Sequence, residues 1–198
     1  MRKKLLLGMV VVIAVLFCAA GSQAITIGFS PVSQDVALGD QAFVDLAISG
    51  LGDGAAPSLG VFDLDVSFDP LVLNLSSVSF GDQLDILGLG SWKEAITGVG
   101  MVNLFELSFD SPDDLDSLQA DSFVLASLTF DTLALGESPL TLSIKALGDS
   151  WGDPLIADVQ SGSVSVVPEP STILLVGSGL VGLGCFRKKF YRKCQKDA

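Results

Sequence analysis

Between positions 25 and 167, apolar and polar residues alternate with a period close to two. That spacing puts successive side chains on opposite faces of an extended strand. The clearest run is Gly60 to Asp69. Phe62, Leu64, Val66 and Phe68 share one face, Asp63, Asp65, Ser67 and Asp69 share the other, and Pro70 ends the run. Gln41 to Ser49 sets Ala42, Val44, Leu46 and Ile48 inward against Phe43, Asp45 and Ala47. Ile25 to Phe29 reads as an edge strand, followed by a strand from Val32 to Leu38 that stops at the turn pair Gly39-Asp40. Further strands are expected over Leu71–Phe80 (with Leu71, Leu73 and Leu75 in phase), Trp92–Thr97, Met101–Phe109, Ser122–Thr132, Leu140–Leu147 and Gly162–Val167. Met101, Phe105, Leu107 and Phe109 fall near one side of their strand. The exception is Ser111 to Ala120, SPDDLDSLQA. A Ser followed by Pro, with acids in the first turn, predicts a single short helix.

About nine short strands separated by Gly, Asp and Pro, with no βαβ alternation and no internal repeat, predict an all-β fold. The expected architecture is an antiparallel β-sandwich of the jelly-roll kind.

The two ends follow different rules. Arg2, Lys3 and Lys4 precede a 13-residue apolar stretch, Leu5 to Phe17, and Ser22-Gln23-Ala24 supplies the small residues a signal peptidase reads. A signal peptide over 1–24, formed as a helix and cleaved between Ala24 and Ile25, is expected. Cys18 follows Phe17, where a lipobox wants a small residue. At the other end Val167-Pro168-Glu169-Pro170 is stiff and acidic, because each proline fixes φ and removes an N–H. An uncharged apolar run, Ser171 to Phe186, comes next. A basic cluster, Arg187, Lys188, Lys189, Arg192 and Lys193, then holds the cytoplasmic side of a transmembrane helix. The 16 residues of that run would span about 24 Å as a helix, against roughly 30 Å of hydrocarbon. A short span suits either a segment kept until a protease removes it or an ordinary single-pass anchor.

Charge and cysteine follow the same division. All three cysteines, Cys18, Cys185 and Cys194, lie in the terminal segments, so the exported body holds no disulfide. The chain has no His. Zinc sites built on His or Cys are thereby excluded, as are Ser-His-Asp and Cys-His catalytic groups. Within the body only Lys93 and Lys145 are basic, against 21 acids, a formal net charge of −19. Such a surface repels nucleic acid and anionic lipid.

The tail resembles the PEP-CTERM sorting signal of Gram-negative bacteria. The resemblance rests on Val167-Pro168-Glu169-Pro170-Ser171-Thr172, the Gly-rich apolar run, and Arg187-Lys188-Lys189 as the membrane stop. It implies recognition by an exosortase, a membrane-embedded transpeptidase-like protease. It also implies an inner-membrane-anchored intermediate and a mature protein at the cell surface or in an exopolysaccharide-rich biofilm matrix. No Leu-Pro-x-Thr-Gly motif for a sortase is present.

The body, 25–166, resembles a cohesin-type domain, a jelly-roll sandwich related to carbohydrate-binding modules. The matching pieces are Val36-Ala37-Leu38-Gly39-Asp40, Phe62 through Pro70, Leu73 through Val78 to Gly81, and Leu125 through Phe130 followed by Leu140-Thr141-Leu142. The resemblance implies a protein-interaction module; a dockerin, the partner of that family, is not visible in this chain.

Three candidate sites remain. Asp63, Asp65 and Asp69 share a strand face and offer the hard oxygen ligands that Ca²⁺ takes, or they form the solvent face of a half-buried strand. Asp110, Asp113, Asp114 and Asp116 lack the EF-hand order and suit a helix N-terminus. Trp92 and Trp151, in GSWKE and DSWGD, are loop aromatics able to stack on a sugar ring or to pack locally. No pair of carboxylates is singled out for glycoside hydrolysis. A non-catalytic protein is therefore expected, whose sandwich either binds a partner such as a surface protein or serves as a structural filler of the biofilm matrix; the alternative is a carbohydrate-binding module retained by exopolysaccharide.

Overall fold

The alternating runs form strands, and their apolar faces meet in one core. The computed structural model describes residues 24–168. It contains β1 (Ile25–Ser30), β2 (Ser33–Ala37), β3 (Gln41–Ser49), β4 (Leu59–Ser67), β5 (Leu73–Phe80), β6 (Ser91–Gly98) and β7 (Met101–Ser108). Helix α1 (Pro112–Leu118) follows, then β8 (Ser122–Thr132), β9 (Gly136–Asp149), β10 (Ala157–Gln160) and β11 (Gly162–Val167). The signal segment 1–23, Glu169, Pro170, the apolar run 171–186 and the basic cluster at Arg187, Lys188 and Lys189 lie outside the described residues. Among the described residues no helix is long and apolar enough to cross a membrane.

Two sheets form the sandwich, with strand orders β10-β1-β3-β8-β5 and β2-β11-β9-β4-β7-β6. Between them, Ile27, Ala42, Leu46, Phe62, Leu64, Val102, Leu128 and Phe130 are fully buried. Phe68 meets Phe130 edge-on at 5.1 Å between ring centres, and Phe62 stacks on Phe80 at 6.3 Å, geometries that aromatic quadrupoles favour.

Several expectations are corrected. The sandwich has eleven strands rather than nine, and two of its pairs are parallel, β1 with β10 and β2 with β11. β1 is not an edge: β10 runs along its outer side. β10 reads only ADVQ, with Val159 41% exposed, so alternation gives it no signal. β9 begins four residues before Leu140, at Gly136, and carries Pro139 opposite Ser163 of β11.

Leu71 precedes β5 and is 77% exposed, while Val72 is buried in its place. Within β5, a register shift between Leu75 and Ser77 leaves one extra residue, so Val78 and Phe80 rather than Ser77 and Ser79 pack toward the core. The expected helix is present, with Ser111 as N-cap: its Oγ accepts from the Asp114 N–H.

The two termini of the body leave from opposite ends. β1 starts level with Ser49 at the far end of β3, whereas Val167 pairs with Ala37, just before the turn into β3.

Candidate functional site: the outer face of the six-stranded sheet

On β7 the inward positions are Val102, Leu104 and Glu106, all buried. Met101, Phe105 and Leu107 consequently face outward. The neighbouring strands share this register. Trp92 and Ile96 of β6 flank Leu107 and Asn103, while Val61, Asp63 and Asp65 of β4 lie opposite Leu107, Phe105 and Asn103. The result is a solvent-facing surface with apolar and acidic halves. Trp92 is 58% exposed and Ile96 55%. The Trp92 indole meets the Phe105 ring edge-on at 5.7 Å.

Beside these aromatics lies a polar ladder. Asn103 Nδ2 donates to Asp63 Oδ1 at 2.6 Å and to Asp65 Oδ1 at 2.9 Å. Lys145 Nζ lies 2.8 Å from Asp65 Oδ1. Lys145 occupies a bulge where β9 carries one residue more than β4, between the partners of Asp63 and Leu64. The hydrogen bond from Lys145, reinforced by that from Asn103, holds the Asp65 carboxyl below the usual carboxylate range. Lys145 in turn is raised by its bond to Asp65.

The three aspartates of the predicted calcium group separate here. Asp63 and Asp65 share Asn103, whereas Asp69 lies past the strand end and accepts the Leu71 N–H at 2.9 Å. Among the described residues no group of three or more His, Cys, Asp or Glu is placed to hold a metal ion. Asp113 and Asp114 occupy the first turn of α1. Asp110 is buried and accepts the Ile86 and Leu87 N–H groups through Oδ2.

The two tryptophans do not share a site. Trp92 is a strand residue on β6, while Trp151 sits in the turn after β9, three strand spacings away across the sheet, roughly 14 Å. Trp151 is 65% exposed, yet it is anchored. Its N–H donates to Asp149 Oδ1 at 2.9 Å and its Nε1 to Asp116 Oδ2 at 3.4 Å. Asp116 also accepts from the Ser58 and Ser150 hydroxyls, and these bonds lower its pKa, with Ser58 the largest cause.

Pattern reading did not single out Glu106. It points into the sandwich at 1% exposure, accepts from Ser91 Oγ at 2.7 Å and pairs with Lys93 at 3.4 Å. Burial pushes its carboxyl above the usual range, against the opposing pull of Ser91 and Lys93.

Residues 166–189 match the family model of the PEP-CTERM protein-sorting motif. The chain therefore ends its sandwich in a sorting signal. The first two matched residues, Val166 and Val167, are still part of β11, and Val166 is buried. No curated protein is significantly similar to the chain in sequence.

Among solved structures, three cohesins share the architecture. One is the sixth cohesin of Acetivibrio cellulolyticus scaffoldin B, solved in complex with a Cel5 dockerin mutant. It is 18% identical with a TM-score of 0.59, covering 73% of this chain and 100% of that one. Another is the cohesin of a type I cohesin–dockerin complex from Clostridium thermocellum, 14% identical with a TM-score of 0.59 over 73% and 100% of the two chains. The third, a non-cellulosomal cohesin from the hyperthermophilic archaeon Archaeoglobus fulgidus, is 19% identical, with a TM-score of 0.57 over 76% and 96%. The body has the cohesin fold.

Proposed function

We propose that this is an exported, non-catalytic protein. Its tail passes through the inner membrane, is processed by an exosortase at Val167-Pro168-Glu169-Pro170, and leaves the sandwich at the cell surface or in the extracellular matrix as a protein-interaction module. Calcium has no role in this reading. The observation that carries the interaction role is the β6–β7–β4–β9 face. An exposed tryptophan, Trp92, set edge-on against the half-buried Phe105, stands beside a fixed row of charges, Asp63, Asp65 and Lys145. Burying large aromatic anchors inside a polar rim is how protein interfaces concentrate their energy. Two of the solved cohesins sharing the fold were captured with a dockerin, which supports a protein partner here.

A second reading, a carbohydrate-binding module retained by exopolysaccharide, is favoured by Trp151 alone. Its indole is held by Asp116 with the ring largely in water, a pre-ordered platform for a sugar ring.

Two experiments test these readings. Mass spectrometry of the protein in strains with and without an exosortase should give different mature C-termini; identical C-termini would reduce the tail to a plain anchor. Surface cross-linking should then be compared for the wild type, a Trp92→Ser/Phe105→Ser variant and a Trp151→Ala variant. Loss of a defined protein adduct in the double variant supports the first reading. Unchanged adducts there, with glycan-array binding abolished by Trp151→Ala, would replace it with the second.

A further inference from the structure

We propose that the end of the sandwich from which the tail leaves seats directly on the surface of a lipid bilayer. This rests on the reading of 171–186 as membrane-embedded. At this end the chain closes several turns around the exit point. Val167 pairs with Ala37 and accepts the Leu38 N–H through its carbonyl, and Val166 lies opposite Gly136. Thr132 Oγ1 accepts the Gly39 N–H, and the Leu133 N–H donates to Val72 O. The β6–β7 turn joins the same end, with Gly100 O accepting the Phe68 N–H. These turns present bare aliphatic side chains to solvent: Val99 at 92%, Leu71 at 77%, Leu133 at 54%, Leu135 at 52%, Leu38 at 39% and Val167 at 37% exposure.

The length of chain beyond Val167 selects the occupant. Only Pro168, Glu169 and Pro170 separate Val167 from the apolar run. Four Cα–Cα steps reach at most about 14 Å. The headgroup layer is roughly 5–8 Å deep on each side of the hydrocarbon. The tether therefore holds this end at the bilayer surface, at a depth where exposed leucines gain by entering the interface. The opposite end also exposes apolar residues, among them Leu87, Leu89 and Ile156, but the tether does not bring them to lipid. Asp40, Asp69, Asp131 and Glu137 flank the leucines, so a zwitterionic surface suits this end better than an anionic one. Seated this way, the body points α1 and the Trp151 turn away from the membrane.

The test uses the chain from Ile25 to Ala198, with Cys185 and Cys194 replaced by Ser, reconstituted into phosphatidylcholine vesicles containing a spin-labelled phosphatidylcholine. A fluorophore is placed at Leu133→Cys in one sample and at Ile156→Cys, at the far end, in another. Quenching should be several-fold stronger at position 133 than at 156 and should drop toward the level of 156 when Leu71→Ser and Leu135→Ser are added. If the protein floats with the vesicles but the two positions are quenched equally, or position 156 more, the seating is wrong and the membrane reading of the tail stands. If it does not float, that reading fails and the seating fails with it.

Discussion

The side-chain amide of Gln119 pairs in both directions with the backbone of Leu59: Oε1 accepts the Leu59 N–H at 2.5 Å and Nε2 donates to Leu59 O at 3.0 Å. Both residues are buried, so the amide acts as one rung of an extra strand at the start of β4. Nε2 donates as well to Gln83 O. The link ties the segment after α1 to β4 and to the 81–90 loop. Gln119→Ala leaves two buried backbone groups without partners and is expected to lower stability by about 2–4 kcal/mol. Chemical denaturation checks this; a loss within experimental error would mean that water replaces the amide.

Glu106 should give the protein a recognisable pH signature. Its folded-state pKa lies above the ordinary value of 4.5 because of burial. The folded state therefore binds more protons than the unfolded chain over the window starting near 4.5 and extending up to the raised value. Stability from this residue is greatest below that window and falls as pH rises through it. Glu106→Gln keeps an acceptor for Ser91 and removes the titration. The melting temperature of the variant relative to wild type should therefore climb with pH across the window. A difference that does not change with pH would show that Glu106 titrates normally.

At the outer face Asp65 has the opposite sign and Lys145 the same one. Asp65 is lowered from 3.8 by Lys145, so its contribution is present above that value and is lost as pH falls through the lowered one. Lys145 is raised from 10.5, and its share is lost as pH rises through the raised value. Lys145 is exposed and Asp65 half-buried, so Lys145→Met is expected to change stability little. It should nevertheless bring the Asp65 pKa upward in a carboxyl NMR titration. An unmoved Asp65 would remove Lys145 as the cause.

Trp92→Ala should separate binding from folding. The ring is more than half exposed, and its edge-on contact with Phe105 contributes about 0.5–1.5 kcal/mol. The variant should keep its circular dichroism and melt within a few degrees of wild type while losing partner adducts. A collapse of the fold would make Trp92 a structural residue instead.

The last strand allows a sharper cut. A chain ended after Val167 retains β11 whole and should melt like the full body. One ended after Ser161 loses Val164 and Val166 from the core and uncouples β2 from β9, and should not fold cooperatively. Equal melting of the two would contradict the pairing.

How far the sequence could be read depended on how one-sided each strand is. β3 and β4 carry apolar residues on one face and polar ones on the other, so both their existence and their inward residues were legible. β7 carries apolar side chains on both faces, Val102 and Leu104 against Met101, Phe105 and Leu107. Its phase was therefore hidden, and with it the buried Glu106. That ambiguity has a physical source: the second apolar face is the exposed one that forms the candidate site. β5 was misread for another reason, since one extra residue near Ser76 reverses the alternation midway. β10 is held by backbone pairing to β1 and gave no side-chain signal. The Asp63–Asn103–Asp65 bridge crosses from β4 to β7, a relation that no spacing within either strand reveals.

The parallel pairing of β2 with β11 joins residues 33–37 to residues 163–167. On the export route proposed above, the first of these emerge more than a hundred residues before their partner. Until Val167 clears the translocation channel, β9 and β2 must wait with open edges. By then the uncharged stretch that follows is already inside the channel. On that route, completion of the domain and arrival of the apolar run 171–186 at the channel are nearly simultaneous, and the proposed exosortase would meet a body that has only just closed.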